Sequence, residues 1–162
     1  MIETPEAVFN VREIASASPR LAVLVMGTND LVKELRAEHV PGRGPLLTAL
    51  QLTLLAARES GLAVLDGVYN DVSDAEGFEA ECRQGRDFGF DGKTLIHPGQ
   101  VEPCNRTFAP SEEAVADARG ILEAWEAGGG SGVVTHRGRM IENLHVEVAR
   151  RVLATHEAIS SP

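Results

Sequence analysis

The sequence has few basic residues, and they form no cluster. It contains 15 Lys and Arg against 24 Asp and Glu, which gives a formal net charge of −9 at pH 7. Nucleic acids and anionic membrane surfaces attract proteins through concentrated positive charge. We therefore expect neither as the main partner, whereas a phosphorylated small molecule needs only a few local donors.

Cysteine is scarce, and long apolar runs are absent. Cys82 and Cys104 stand in no CxxC or Cys/His pattern, so we interpret them as free thiols in a reducing compartment. No apolar run approaches the ~18 residues of a membrane span. The N-terminus also has none of the basic, apolar and small-residue regions of a signal peptide. These features predict a cytoplasmic protein without a membrane partner.

Short apolar runs alternate with amphipathic stretches, which is typical of repeated βα units. The continuous run Leu21–Met26 predicts a strand buried on both faces of a parallel sheet. Further strands are predicted at residues 62–65 and 93–96. Thr4 and Pro5 predict a helix start, with the helix reaching about Ser18. Other helices are expected over residues 46–58, after Pro45, and from a capping box at residues 73–76 to about Gln84.

The pattern changes near residue 110. Ser111 and the acidic residues after it predict a helix start. The glycine-rich residues 128–132 predict a flexible break, residues 133–141 a hairpin or extended arm around Gly138, and residues 144–154 a terminal helix. We expect two regions, residues 1–110 and 111–162.

Two acidic residues stand at probable strand-to-helix corners. Glu3 precedes the helix start at Thr4, and Asp30 follows the second apolar run. Ligands of parallel α/β proteins bind at such corners, and converging carboxylates suit Mg²⁺. The alternative is that both residues only cap helices or favour their first turns.

Five sequence blocks occur in an order that resembles the C-terminal part of the citrate lyase beta subunit and malyl-CoA lyase family, within the HpcH/HpaI aldolase superfamily. They are MIETPEAV at 1–8, VMGTNDL at 25–31, LDGVYND at 65–71, GFDGKTLIHPGQ at 89–100 and GRMIE at 138–142. The resemblance covers essentially the whole chain. It implies an α/β fold of the TIM (β/α)8 barrel type, in which residues 1–110 form the C-terminal half. Residues 111–162 would add the final helix, an arm and a terminal helix that act as a lid or oligomerisation extension.

The resemblance also implies a Mg²⁺-dependent carbon–carbon lyase. Such an enzyme cleaves a 3-hydroxyacyl-CoA to an acyl-CoA and a 2-keto acid. Glu3 and Asp30 match the family's metal ligands, and the substrates would be a CoA thioester and a 2-keto acid. A homo-oligomer is expected.

Other matched residues carry weaker expectations. Gly27, Thr28 and Asn29 would lie near the ligand, or would only shape a turn. Lys93 could meet a CoA phosphate. His97 could hydrogen-bond nearby backbone, and we favour a structural role for it.

Two further matches stay open. Tyr69, Asn70 and Asp71 could line the pocket, although Asp71 is favoured as a helix cap. Glu142 matches an acid of the family that reaches a neighbouring subunit's active site. It is one methylene longer than the family's Asp, and its alternative is a solvated residue at the start of the last helix.

The resemblance begins at the fifth strand of the barrel. We therefore expect a truncated form that binds Mg²⁺ weakly and has little lyase activity alone. One rival hypothesis is a non-catalytic remnant that acts as an oligomerisation or regulatory partner. Another is an aldolase that acts on free hydroxy-keto acids without CoA. The identities of the acyl group and the keto acid are not predicted.

Overall fold

Three short parallel strands form the sheet of residues 1–108, which are the first of two units. The computed structural model describes residues 1–161. The strands β1 (Val23–Val25), β2 (Ala63–Asp66) and β3 (Gly92–Lys93) lie side by side in that order. Ile2 adds a single parallel bridge beside Met26, on the outer side of β1. Its N–H donates to the Val25 carbonyl at 2.8 Å, and its carbonyl accepts from the Gly27 N–H at 2.9 Å. Four consecutive chain segments therefore run parallel, in chain order.

The strands are shorter than predicted, and the sheet is buried on one face only. The predicted strand at residues 93–96 is reduced to Gly92–Lys93, because only these residues pair with β2. Leu24, Val64 and Asp66 are buried. The alternate residues Val23 and Leu65 are exposed or half-buried. The prediction that this first strand is buried on both faces was therefore wrong.

Helices connect the strands of this first unit. They are α1 (Pro5–Phe9), α2 (Val11–Ser16), α3 (Thr28–Leu35), a 3₁₀ helix at Pro41–Leu46, α4 (Leu47–Glu59), α5 (Ala75–Phe88), a 3₁₀ helix at Pro98–Gln100 and α6 (Val101–Phe108). The core consists mainly of aliphatic side chains from the strands, the Ile2–Met26 bridge, the first 3₁₀ helix, α3 and α4, including Ile2, Leu24, Met26, Leu31, Leu46, Leu50 and Val64.

Three helix boundaries differ from the predictions. The helix expected to reach Ser18 is interrupted at Asn10, whose side-chain amide donates to the Glu6 carbonyl at 2.9 Å and closes the first turn. The helix predicted to start after Pro45 begins at Leu47, because Pro45 lies inside the 3₁₀ helix that precedes α4. Gly42 and Arg43 kink that 3₁₀ helix, with positive φ angles of 75° and 57°. Helix α5 is capped by Asp74 and extends to Phe88, beyond the predicted Gln84.

Residues 109–161 form the second unit. It contains α7 (Glu112–Ala127), a hairpin of β4 (Val134–His136) and β5 (Arg139–Ile141), and α8 (Asn143–Ser160). Ser111 caps α7 by accepting from the Ala114 N–H at 3.1 Å, as predicted. The hairpin turns at Arg137 and Gly138, which both have positive φ. Trp125, Ile141 and Val146 form its buried cluster.

Among residues 1–161, no helix combines the length and the apolar character that crossing a membrane requires.

Candidate metal and substrate site

Glu3 lies across the backbone of Gly27 at the carboxyl end of the sheet. A Cβ atom at Gly27 would overlap Glu3 Cβ and would stand 2.6 Å from Glu3 Oε2. Gly27 has φ −99°, which other residues adopt, so glycine is required here for space. The half-buried Glu3 side chain is therefore held against the N-cap of α3.

Asp30 is exposed in the first turn of that same helix. Among the described residues, Glu3 and Asp30 take part in no ion pair with a Lys, Arg or His side chain. Mg²⁺ typically takes one or two protein carboxylates and fills its other positions with water and substrate oxygens. Residues 1–161 contain no group of three or more His, Cys, Asp or Glu placed to hold a metal. One carboxylate in the first turn of α3 and another against its N-cap match the number of protein carboxylates that Mg²⁺ typically takes.

The first turn of α3 is joined to the loop after β2 beside Asp30. The Asn29 amide nitrogen donates to Asn70 Oδ1 at 3.0 Å, and the Asn70 nitrogen donates back to Asn29 Oδ1 at 2.7 Å. Thr28 is buried, and its methyl and hydroxyl groups lie where a Cβ at Gly67 would stand. Of the predicted ligand-facing residues, Asn29 thus faces the next loop and Thr28 packs inward.

A buried ion network, which sequence reasoning missed, lies at the ends of β2 and β3. Asp66 is fully buried, and both of its carboxylate oxygens accept from Arg43 Nη1 at 2.7 Å. Lys93 Nζ lies 3.3 Å from Asp66 Oδ2 and 2.6 Å from Glu81 Oε1. The Lys93 side chain has no exposed surface. In this conformation Lys93 therefore meets carboxylates, and its CoA-phosphate role stays a prediction without geometric support.

One signal for this network was present in the sequence. Asp66 ends the apolar run of a buried strand, where an unpaired charge would be costly, so a buried cation was required. The partner could not be named from the sequence, because Arg43 lies in a different loop, between Gly42 and Gly44.

A cavity of about 440 Å³ opens beside the network. It is lined by Arg43 and Glu81, and by Tyr69, Asn70 and Asp71, which follow β2. The Tyr69 hydroxyl donates to Asp74 Oδ2 at 2.6 Å. This hydrogen bond raises the pKa of Tyr69 to about 12 and lowers the pKa of the Asp74 carboxyl.

Two predicted residues have structural roles near helix starts. Asp71 accepts from the Ser73 N–H at 2.9 Å, but Asp74 and not Asp71 caps α5. His97 Nδ1 accepts from the Gly99 N–H at 3.1 Å and so caps the second 3₁₀ helix.

Glu142 belongs to the second unit and immediately precedes α8. It is half-buried, and its backbone N–H donates to His145 Nδ1 at 3.1 Å. In the same unit, Asp117 accepts from Arg139 at 2.7 Å and lies 3.1 Å from His136 Nε2. Its hydrogen bonds with Arg139, which contributes most, and with His136 lower the pKa of Asp117.

Parallel strands in chain order, with carboxylates at their carboxyl ends, define the class of α/β proteins that bind ligands at that edge. The chain belongs to the HpcH/HpaI aldolase/citrate lyase family, whose model matches residues 1–98. It is 50% identical over 163 residues to a (3S)-malyl-CoA thioesterase from Cereibacter sphaeroides. It is 39% identical over 158 residues to the citrate lyase subunit beta of Escherichia coli strain K12.

The alignments cover most of this chain but only part of its relatives. They span 99% of the chain and 57% of the thioesterase, and 96% of the chain and 52% of the citrate lyase subunit. The chain therefore spans little more than half the length of these curated relatives.

Solved structures show the same fold. A citrate lyase from Burkholderia xenovorans LB400 matches with a TM-score of 0.85 at 23% identity, covering 99% of this chain and 53% of that one. The protein CitE from Mycobacterium tuberculosis, in complex with magnesium, acetoacetate and coenzyme A, matches with a TM-score of 0.77 at 28% identity. That match covers 94% of this chain and 58% of CitE.

Proposed function

We propose that this chain carries the magnesium-binding part of a carbon–carbon lyase that cleaves a 3-hydroxyacyl-CoA to an acyl-CoA and a 2-keto acid. The single observation that carries the proposal is the placement of Glu3 against Gly27, on the helix whose first turn holds Asp30. The family membership and the magnesium complex of the similar CitE support the same assignment.

In this proposal Glu3 and Asp30 hold the metal, and Gly27 leaves the space that Glu3 occupies. Bound Mg²⁺ would supply positive charge where negative charge develops as the carbon–carbon bond breaks. The Asn29–Asn70 pair would hold the first turn of α3 against the loop after β2, which keeps Asp30 oriented. These residues bind and position the keto-acid part of the substrate.

We also propose that residues 1–110 form half of a (β/α)8 barrel. The support is the run of four consecutive parallel segments and the partly exposed apolar face of the sheet, which barrel closure would bury. Residues 111–162 would serve as a lid or oligomerisation extension in a homo-oligomer. Glu142 would act there as an acid in a neighbouring subunit's site, and CoA would bind near Lys93 and His97.

Thioester hydrolysis is a second candidate, because a relative at 50% identity is a (3S)-malyl-CoA thioesterase. The two reactions yield different products. Carbon–carbon cleavage of malyl-CoA releases a keto acid and leaves the thioester intact, whereas hydrolysis releases the CoA thiol. Assaying keto acid with phenylhydrazine and free thiol with a chromogenic disulfide on the same sample distinguishes them.

The metal assignment is tested by calorimetric titration of the chain with Mg²⁺ and glyoxylate. We expect Mg²⁺-dependent glyoxylate binding that is lost in Glu3→Gln and Asp30→Asn. Glu6→Gln is the matched control, since Glu6 is also an exposed acid in the first turn of a helix. Binding that survives both site substitutions, or that never depends on Mg²⁺, would overturn the assignment.

A further inference from the structure

Two cysteines meet between α5 and α6, away from the carboxylate site. Cys82 has no exposed surface and Cys104 is 5% exposed. Both are free, and with Phe78 they form one buried cluster. The two thiols therefore lie in the same small cluster, where α5 packs on α6.

The two thiols have different surroundings. The groups that act on the Cys104 thiol are Cys82 and the ammonium and backbone N–H of Lys93. Cys82 contributes most, and together these groups lower the pKa of Cys104 to about 7 despite burial. The Cys104 thiol, followed by burial, raises the pKa of Cys82. Cys104 is therefore the thiol that ionises first, and the thiolate is the nucleophilic form.

We propose that Cys82 and Cys104 are an oxidation site, at which a hydroperoxide converts the two thiols into an intramolecular disulfide. The Cys104 thiolate attacks a peroxide oxygen, the O–O bond breaks, and Cys104 becomes a sulfenic acid. The Cys82 sulfur then attacks the Cys104 sulfur. The S–S bond forms as the S–O bond breaks, and the Cys82 proton leaves with the hydroxide as water. Two thiols are oxidised by two electrons, and one hydrogen peroxide is reduced to two waters.

The size of the oxidant matters because little of Cys104 is exposed. Hydrogen peroxide is nearly as small as water, so it reaches a site that larger disulfide reagents do not. The bond would join α5 to α6 covalently. The oxidation does not depend on the proposed metal site, since neither sulfur belongs to the carboxylate site of Glu3 and Asp30.

The test is peptide mapping of the 162-residue chain after treatment with hydrogen peroxide. Trypsin places the cysteines on separate peptides, residues 59–83 and 94–106. Free thiols are alkylated with N-ethylmaleimide under denaturing acid-quench conditions before digestion. We expect the two peptides to be recovered linked, and to separate after reduction with dithiothreitol. Unlinked, alkylated peptides, sulfonic acids alone, or links only between chains would overturn the proposal.

Single variants test the order of the steps. In Cys82→Ser we expect a sulfenic acid at Cys104 that dimedone traps, since no resolving thiol is present. In Cys104→Ser we expect much slower labelling of Cys82. Equal labelling of both variants would overturn the assignment of Cys104 as the attacking thiol. Circular dichroism checks that each variant is folded, and alanine replaces serine where it is not.

Discussion

Replacing Asp66 with alanine tests how strongly the first unit depends on its buried ion network. Asp66 is fully buried and accepts from Arg43, from Lys93 and from the Gly67 N–H at 2.8 Å. Its removal leaves two cations without their shared carboxylate. Arg43 would keep Gln84 at 2.7 Å, and Lys93 would keep Glu81 at 2.6 Å.

Removing one partner of a buried ion pair costs about 3–5 kcal/mol, because the other charge stays buried without compensation. The total free energy of unfolding of a domain of this size is about 5–15 kcal/mol. Asp66→Ala should therefore lower the urea midpoint of the first unit severely, as followed by far-ultraviolet circular dichroism. Asp66→Asn preserves the shape and an acceptor oxygen but removes the charge. If the charge of Asp66 dominates, Asp66→Asn should lower the urea midpoint almost as much as Asp66→Ala.

The exposed pair between Arg12 and Glu59 supplies the control. It has the same 2.7 Å separation, but its side chains are 75% and 53% exposed. Solvent screens such a pair, so Glu59→Gln should leave the midpoint unchanged within error. A loss below about 1 kcal/mol in Asp66→Ala, the range of exposed pairs, would refute the reasoning that buried cations depend on Asp66.

Two further predictions concern single contacts. Gly27→Ala should reduce Mg²⁺ affinity in calorimetry, because the new Cβ would displace Glu3; Gly44→Ala, where nothing lies within 4 Å, should not. Equal affinity in both variants would contradict the placement of Glu3. Tyr69 is the only tyrosine, so ultraviolet titration reports its pKa directly, and we expect a midpoint near pH 12 that moves toward 10 in Asp74→Ala. Because the folded-state pKa is raised, the bond's contribution to stability is complete below pH 10 and lost as pH rises toward 12. A parent midpoint near 10, with native circular dichroism, would contradict the Tyr69–Asp74 bond.

Local signals in the sequence predicted the elements that depend on local chemistry. Ser111 was identified as a helix start, and residues 133–141 as either a hairpin or an extended arm around Gly138, of which the structure shows the hairpin; capping and turn preferences act over a few residues. Asp74, not Ser73, caps α5, since both residue types suit the position and the choice depends on the preceding turn.

Long-range contacts could not be predicted in the same way. The sequence pointed to Glu3 and Asp30 but not to the close packing of Glu3 against Gly27, which depends on the Ile2 bridge to Met26. Lys93 was named as a residue that could meet a CoA phosphate, and that role stays a prediction; its contacts with Asp66 and Glu81, from two other elements, could not be predicted. Periodicity indicates that a position is buried, but it does not identify the partner.

The reciprocal hydrogen bonds between Asn29 and Asn70 couple the effects of substitutions at these two positions. Each amide offers one donor and one acceptor to the other, so a change at either position leaves its partner with a mismatched hydrogen-bonding pattern. In a library randomised at both positions, accepted substitutions should therefore appear as matched pairs. Residues 41 positions apart in the chain would then vary together, as though they were adjacent.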